Sequence, residues 1–367
     1  MTDERIDPHQ EDVEGLGSDE DSGWGDYPID TVLIRHETRT VHDVLRRIEK
    51  GSFVMNPDFQ RAFIWSDDKQ SKLIESVLMR IPLPVFYLAE DAAGRMVVVD
   101  GLQRLSSFSA FVGNELRLKL PDQDALNGKL FRELSPKLQN RVEDSNLVLY
   151  VIDAKVPERA RLDIFERVNS GVPLTRQQMR NSLYTGPATR FLRDEAEKAL
   201  FLNATGRSLK SSTMRDREFV NRFCAFQLLP YGAYRGDMDE FLAMALMKMN
   251  LLGSKLLPGL SKDFELSLAN NLKIFGKHAF RKHVPGQEKR SPLNASLWDV
   301  MTTFLAGFST QKVEARRDQL RSAFYTLLRD YEFERAITYG VNDARNVNLR
   351  FQKSRAILGK AIDDIET

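Results

Sequence analysis

Apolar residues recur along the first half of the chain in two rhythms, and the switches between them sketch a small mixed fold. At 40–51 (TVHDVLRRIEKG), Val41, Val44, Leu45 and Ile48 share one face between a threonine start and a glycine stop, which predicts a short amphipathic helix. Phe53-Val54-Met55 reads as a short extended entry. Residues 66–80 (SDDKQSKLIESVLMR) predict a capped helix, with Asp67 and Asp68 in the first turn and Leu73, Ile74, Val77 and Leu78 behind them. Ile81-Pro82-Leu83-Pro84 ends that helix, and residues 85–88 predict a strand followed by a turn at 91–94. Val97, Val98 and Val99 are β-branched and predict a buried strand. This strand runs through Asp100-Gly101, without a spacer, into a helix whose Leu105, Phe108 and Phe111 form an apolar face. A polar stretch and a short helix at 136–143 precede a strand at 147–152, expected at the edge of the sheet or next to the strand before Asp100.

Beyond Pro157 the two-residue rhythm fades and helical periodicity dominates, predicting helices at 157–168, 175–183, 187–201, 215–230, 237–252, 260–280, 293–307, 310–329 and 345–365. No internal repeat is visible. The fold class expected is α+β, with a small mixed α/β domain over 31–155 followed by an all-helical domain over 156–367.

Charge adds a third region. Residues 1–30 hold eleven acids and one base, a net charge of −10, while the rest of the chain holds 52 bases and 41 acids, a net +11. The first 30 residues are poor in apolar positions and read as an acidic disordered arm, with order beginning near Thr31. Such an arm competes with nucleic acid for a basic surface, binds a partner or simply keeps the protein soluble. The single cysteine, Cys224, excludes a disulfide framework and a thiolate zinc site, and its apolar helical surroundings suit a buried, inert thiol. With neither a signal-like start nor an uninterrupted apolar run near 18 residues, a cytoplasmic protein without membrane contact is expected.

The junction at 96–111 (MVVVDGLQRLSSFSAF) carries the most chemical promise. The first turn of a helix leaves backbone N–H groups without intrahelical acceptors and carries a partial positive charge, so it attracts anions. Gln103 and Arg104 sit beside that turn, and arginine binds phosphate through parallel hydrogen bonds. The plainer alternative makes Asp100 an N-cap and Arg104 a solvated surface residue. The glycine spacing matches neither a Walker loop nor a Rossmann loop.

Three segments stand together with this junction: Phe59-Gln60-Arg61, IESVLMRIPLPVFYL between it and the junction, and Phe165-Glu166-Arg167-Val168-Asn169 continuing to Thr175. In this order, from about Phe53 to Asn181, they resemble the GmrSD-type restriction enzyme N-terminal domain family, also called domain-of-unknown-function family 262. The resemblance implies a ParB/sulfiredoxin-like fold whose junction binds a nucleoside triphosphate, ATP or GTP, with Mg²⁺ or a similar divalent metal. It implies a role in restriction of, or defence against, invading or modified DNA. Leu102 departs from the family pattern, which has glutamine there, so one side-chain donor is missing.

The roles that follow from the resemblance are specific. Asp100, Gln103 and Arg104 are the candidate catalytic residues, with Asp100 also the candidate metal ligand. Arg104 and Arg61 would bind phosphate oxygens, and Gln103 or Gln60 would orient water. Gly101, Gln60, Arg61, Asn169, Arg176 and Arg180 complete the candidate nucleotide-binding set, with Asn181 beside them. Asn169 reads equally as a helix C-cap ahead of Gly171 and Pro173. Arg176 and Arg180 read equally as a solvated helix face.

The C-terminal half holds too few clustered histidines for an HNH nuclease, its only ones being His278 and His283. Its bases, among them Arg281, Lys282, Lys289, Arg290, Arg316, Arg317, Arg345, Arg350, Lys353 and Arg355, are candidates to track a phosphate backbone, and the tail around Asn342, Arg345 and Arg350 to fold back on the first domain. Three functions remain open from sequence: a nucleotide-dependent, DNA-directed restriction protein that hydrolyses nucleotide, a non-enzymatic ParB-like adaptor that binds DNA and recruits a separate nuclease or defence subunit, and a metal-dependent DNA nickase. The apolar helix at 237–252 is equally a core element or a homo-oligomer surface.

Overall fold

The computed structural model describes residues 13–16, 33–55, 65–91, 93–168 and 174–363. The chain forms two compact units. An α/β unit comprises Gly25–Leu174 and Met179–Leu183, and a helical unit comprises Met1–Trp24, Thr175–Gln178 and Tyr184–Thr367. The division falls later than the point where strand signals fade, because the first helix after Pro157 packs on the sheet. Order also begins earlier than Thr31: strand β1 (Val13–Glu14), inside the acidic arm, belongs to the helical unit.

In the α/β unit the order is β2 (Ile34–Thr40), α1 (Val41–Glu49), β3 (Phe53–Val54), α2 (Asp67–Leu78), β4 (Phe86–Glu90), β5 (Met96–Asp100), α3 (Leu102–Val112), α4 (Pro136–Glu143), β6 (Asn146–Ile152) and α5 (Glu158–Val168). Thr40 starts α1 as its pattern predicts, its hydroxyl accepting from the Asp43 N–H at 3.2 Å. The five strands lie in the order β2-β6-β4-β5-β3. β2 runs antiparallel to β6, β6 parallel to β4, β4 antiparallel to β5 and β5 parallel to β3. β6 is therefore neither an edge strand nor a neighbour of β5, as its sequence suggested, because β2 and β4 flank it. β2 (IRHETRT) escapes a hydrophobicity-based reading: its core-side positions are arginine and glutamate, held by ion pairs such as Arg35 to Glu90 at 2.7 Å. Leu88, Leu149 and Val151 of the sheet bury one face against Val41, Val44, Leu105 and Phe108 of the helices, all at 0% exposure. At roughly 1.5–3 kcal/mol per large side chain, this burial holds α1 and α3 against the sheet.

The helical unit runs through α6 (Arg176–Leu183), whose last residues belong to the α/β unit, then α7 (Pro187–Ala196), α8 (Ala199–Thr205), α9 (Arg215–Leu228), α10 (Met238–Leu252), α11 (Leu257–Phe275), β7 (Leu293–Asn294), α12 (Ala295–Leu305), α13 (Thr310–Ala315), α14 (Arg317–Arg329), α15 (Tyr331–Ala336) and α16 (Ala344–Asp363). Its core surrounds Trp298, whose indole N–H donates to the Phe219 carbonyl at 2.8 Å. β1 pairs in parallel with β7, and the Asn342 amide donates to the Leu16 carbonyl at 3.0 Å.

Two expectations change here. Arg350 is completely buried, donating to Asp299 at 2.8 Å and to the Val341 carbonyl, so the tail packs into the helical unit. Arg281 is likewise buried, bound to the Thr205 carbonyl at 2.8 Å and to the Ser291 carbonyl. Neither arginine presents charge to a phosphate backbone. Cys224 is buried as expected, and burial pushes its thiol pKa well up. Of the apolar residues of α10, only Met244, Met247, Leu251 and Leu252 are exposed, and the rest of its apolar side faces the core.

Candidate functional site

The end of β5 and the start of α3 meet at Gly101, which has φ +100° and is the N-cap residue of α3. A Cβ there would be driven into the Phe86 ring, so both the backbone angle and the close approach require glycine. Asp100 is not the cap. Its carboxylate instead accepts from Arg104 Nη2 at 2.7 Å, one helical turn on.

Arg104 is 9% exposed and differs from a solvated surface residue as much as from an open phosphate clamp. Nη1 donates to the Pro84 carbonyl, Nη2 to the Val85 carbonyl at 3.1 Å, and the guanidinium lies over the Phe86 ring at 4.2 Å. Burial pushes its pKa below the ordinary arginine value, and Asp100 opposes that shift. Three of its five N–H donors are thus engaged within the domain. The Ile81-Pro82-Leu83-Pro84 break supplies the carbonyls that receive them.

Gln103 also has a partner. Its Oε1 accepts from the Trp65 backbone N–H at 3.1 Å, tying the start of α2 to the start of α3. Gln60 and Arg61 lie in 56–64, outside the described residues, as does Asn169. The described residues bracketing the first segment both reach the junction region: β3 pairs with β5, and Trp65 bonds Gln103. Arg180 is 1% exposed and Asn181 equally buried, which excludes a solvated face for them. Arg176 faces Asp239 at 3.8 Å within the helical unit.

One feature escaped the sequence reading. Strand register sets Tyr87 beside Asp100, Tyr150 beside Tyr87, and His36 beside Tyr150. Paired residues share a sheet face, and the rings form a continuous row, Tyr87 to Tyr150 at 5.5 Å and Tyr150 to His36 at 5.6 Å. The row lies on the face opposite the helical core, the tyrosines half-buried and His36 exposed. Its signal in sequence was only the alternation within FYLAE and NLVLYVI, and the pairing of distant strands was needed to see it.

Against known families, residues 41–185 match the model described as GmrSD restriction endonuclease, N-terminal domain. These residues belong to that family. The match spans α1 through α6 and includes the strand–glycine–helix junction, Tyr87 and Tyr150, while His36 lies outside it. Residues 186–367 lie outside the match, and no curated protein matches the chain. Among the described residues, no helix is long and apolar enough to cross a membrane, and no three metal-ligating side chains gather.

Proposed function

We propose that the chain is a DNA-directed restriction factor whose GmrSD N-terminal domain binds a nucleoside triphosphate at the junction of β5 and α3. The observation that carries this reading is the pairing of a half-exposed carboxylate with a free helix start: Asp100 has 36% of its side chain exposed and stands one residue before the first turn of α3. That turn offers N–H groups and a partial positive charge to phosphate oxygens. A carboxylate beside phosphate requires a cation between them, and Mg²⁺ that arrives with a nucleotide needs only one or two protein carboxylates. One oxygen remains for such a metal: Asp100 Oδ2 is held by Arg104, which leaves Oδ1 without a hydrogen bond among the described residues. When bound, Mg²⁺ neutralises the phosphates.

Arg104 acts in this reading as a positioning residue beneath the site, fixing Asp100 and the Pro84-Val85 carbonyls. Gln103 positions the chain at Trp65, where its side chain accepts from the backbone N–H. The tyrosine row beside Asp100 supplies a stacking surface for a base, a contact worth roughly 1–3 kcal/mol per base and tolerant of base identity.

Binding is favoured over turnover. Gln103 Oε1 is engaged with Trp65, both Nη groups of Arg104 are engaged, and Leu102 offers no side-chain donor. Nickase chemistry by two metals asks for several clustered carboxylates, whereas Asp100 is joined by an arginine. The nucleotide then acts as a switch for DNA engagement or for recruiting a separate nuclease subunit. Incubation with each nucleoside triphosphate and Mg²⁺, with and without DNA, should show saturable binding with little phosphate release and no plasmid nicking by the chain alone. Absence of binding to every nucleotide overturns the reading.

A further inference from the structure

A second basic site lies in the α/β unit, lined by none of the residues 100–104 of the junction. The end of α2 and the helix α4 border a cavity of about 440 Å³ lined by Arg80, Lys137, Asn140, Arg141, Asp144 and Asn146, with Ile81, Pro82 and Leu83 as its apolar wall. Three cations against one carboxylate leave a net charge of +2. A volume of this order is typical of small-ligand pockets.

Two of the cations occupy places that ordinary helix energetics disfavours. The Arg80 N–H donates to the Val77 carbonyl and the Ile81 N–H to the Ser76 carbonyl, each at 2.9 Å, which makes a Schellman ending for α2. The residue at Arg80's position in that motif is usually glycine, because the backbone must be left-handed. Arg80 adopts φ +62° there despite its Cβ. Lys137 stands in the first turn of α4, the end at which the helix dipole repels a cation. Neither side chain has a hydrogen-bond or ion-pair partner among the described residues. Arg141 differs, since it donates to the Leu78 carbonyl at 2.9 Å and so closes the helix end. Two partnerless cations, each placed against local preference, line the same cavity.

We propose that this cavity binds an unpaired nucleotide of a nucleic-acid strand. The phosphodiester lies between Arg80 and Lys137, the base rests on the Ile81-Pro82 wall, and the amides of Asn140 and Asn146 meet its edge. Charge complementarity selects the phosphate, and an apolar wall beside amide groups suits a splayed base, the usual target of strand recognition. The site is independent of the nucleotide site at Asp100.

The test uses the full chain and a fluorescently labelled single-stranded DNA 12-mer in an anisotropy titration over a salt series. The variants are Arg80→Gly and Lys137→Gln. Glycine suits the left-handed position, so Arg80→Gly should keep or raise Tm, which separates a binding role from a structural one. Each variant should raise the Kd for the strand roughly threefold to tenfold at low salt and reduce the log–log salt slope by about 0.7, the value for one phosphate contact on a single strand. Inorganic phosphate and a mononucleotide serve as competitors: displacement by the mononucleotide at far lower concentration than by phosphate supports recognition of the base as well as the charge. All titrations are run without nucleoside triphosphate, so that strand binding is read apart from the proposed nucleotide site. Failure of the wild type to bind the strand, or Kd and slope unchanged in both variants, overturns the proposal.

Discussion

Replacing Arg104 by methionine tests whether that side chain acts as a structural clamp or as a direct phosphate ligand. The substitution removes donors from the Pro84 and Val85 carbonyls, the ion pair with Asp100 and the contact over Phe86. The two carbonyls lie in a partly exposed loop where water replaces the donor, so each bond contributes on the order of 0.5–1 kcal/mol. Asp100 is about a third exposed, and its ion pair contributes roughly 0.5–1 kcal/mol after solvent screening. The ring contact adds about 0.5–2 kcal/mol. The sum is about 2–5 kcal/mol, which at roughly 2–4 °C per kcal/mol lowers melting of the α/β unit by about 4–20 °C. Calorimetry on the full chain reads that shift. Nucleotide titration well below the new Tm should show affinity reduced only about threefold to tenfold, with its Mg²⁺ dependence intact. An unchanged melting temperature together with complete loss of nucleotide binding would refute the clamp and make Arg104 a phosphate ligand.

Gly101→Ala should destabilise the α/β unit by about 2–5 kcal/mol, since it combines positive φ with overpacking against Phe86, and urea titration checks it. Asp299→Asn in the helical unit should cost about 3–5 kcal/mol, because Arg222 and Arg350, fully buried and each within 2.8 Å of that carboxylate, lose their shared counter-charge. Burial lowers the pKa of His283 below 6.5, although its Nδ1 contact at 2.9 Å with the Arg281 carbonyl opposes the shift. The unfolded chain therefore takes up the proton first: the stability contribution is complete above about pH 6.5 and declines as pH falls below it. Melting of the helical unit from pH 7 to pH 5 should show that decline, and His283→Gln should flatten it.

Helices were the most legible elements because caps and apolar spacing act locally. Thr40, the Asp67-Asp68 turn and Pro136 mark starts within a residue of those observed. The continuous 310–329 pattern conceals a break at Arg316, since periodicity carries through a local change of backbone angle. Strands were legible where they are buried on a hydrophobic run, as at Val97 to Val99, and illegible in β2, whose positions are stabilised by charge pairs. The pairing order of β6 depends on contacts across more than fifty residues and has no local sign. At the candidate site, the glycine turn after Asp100 was readable from turn chemistry. The direction of Arg104 was not, because it depends on carbonyls from the Pro84 loop. Arg350 and Arg281 looked like surface bases for the same reason: nothing in their neighbours announces a buried acceptor.

Asp100 is proposed to serve a metal-bearing nucleotide at the start of α3. Isothermal titration of a nonhydrolysable triphosphate analogue into wild type and Asp100→Asn, each with Mg²⁺ and with chelator, tests it most directly. Wild type should bind more tightly with Mg²⁺, and Asp100→Asn should lose about tenfold or more in affinity with Mg²⁺ while binding the metal-free analogue at least as well, since a negative charge beside the phosphates is gone. Equal affinities for both proteins, with and without Mg²⁺, would contradict it.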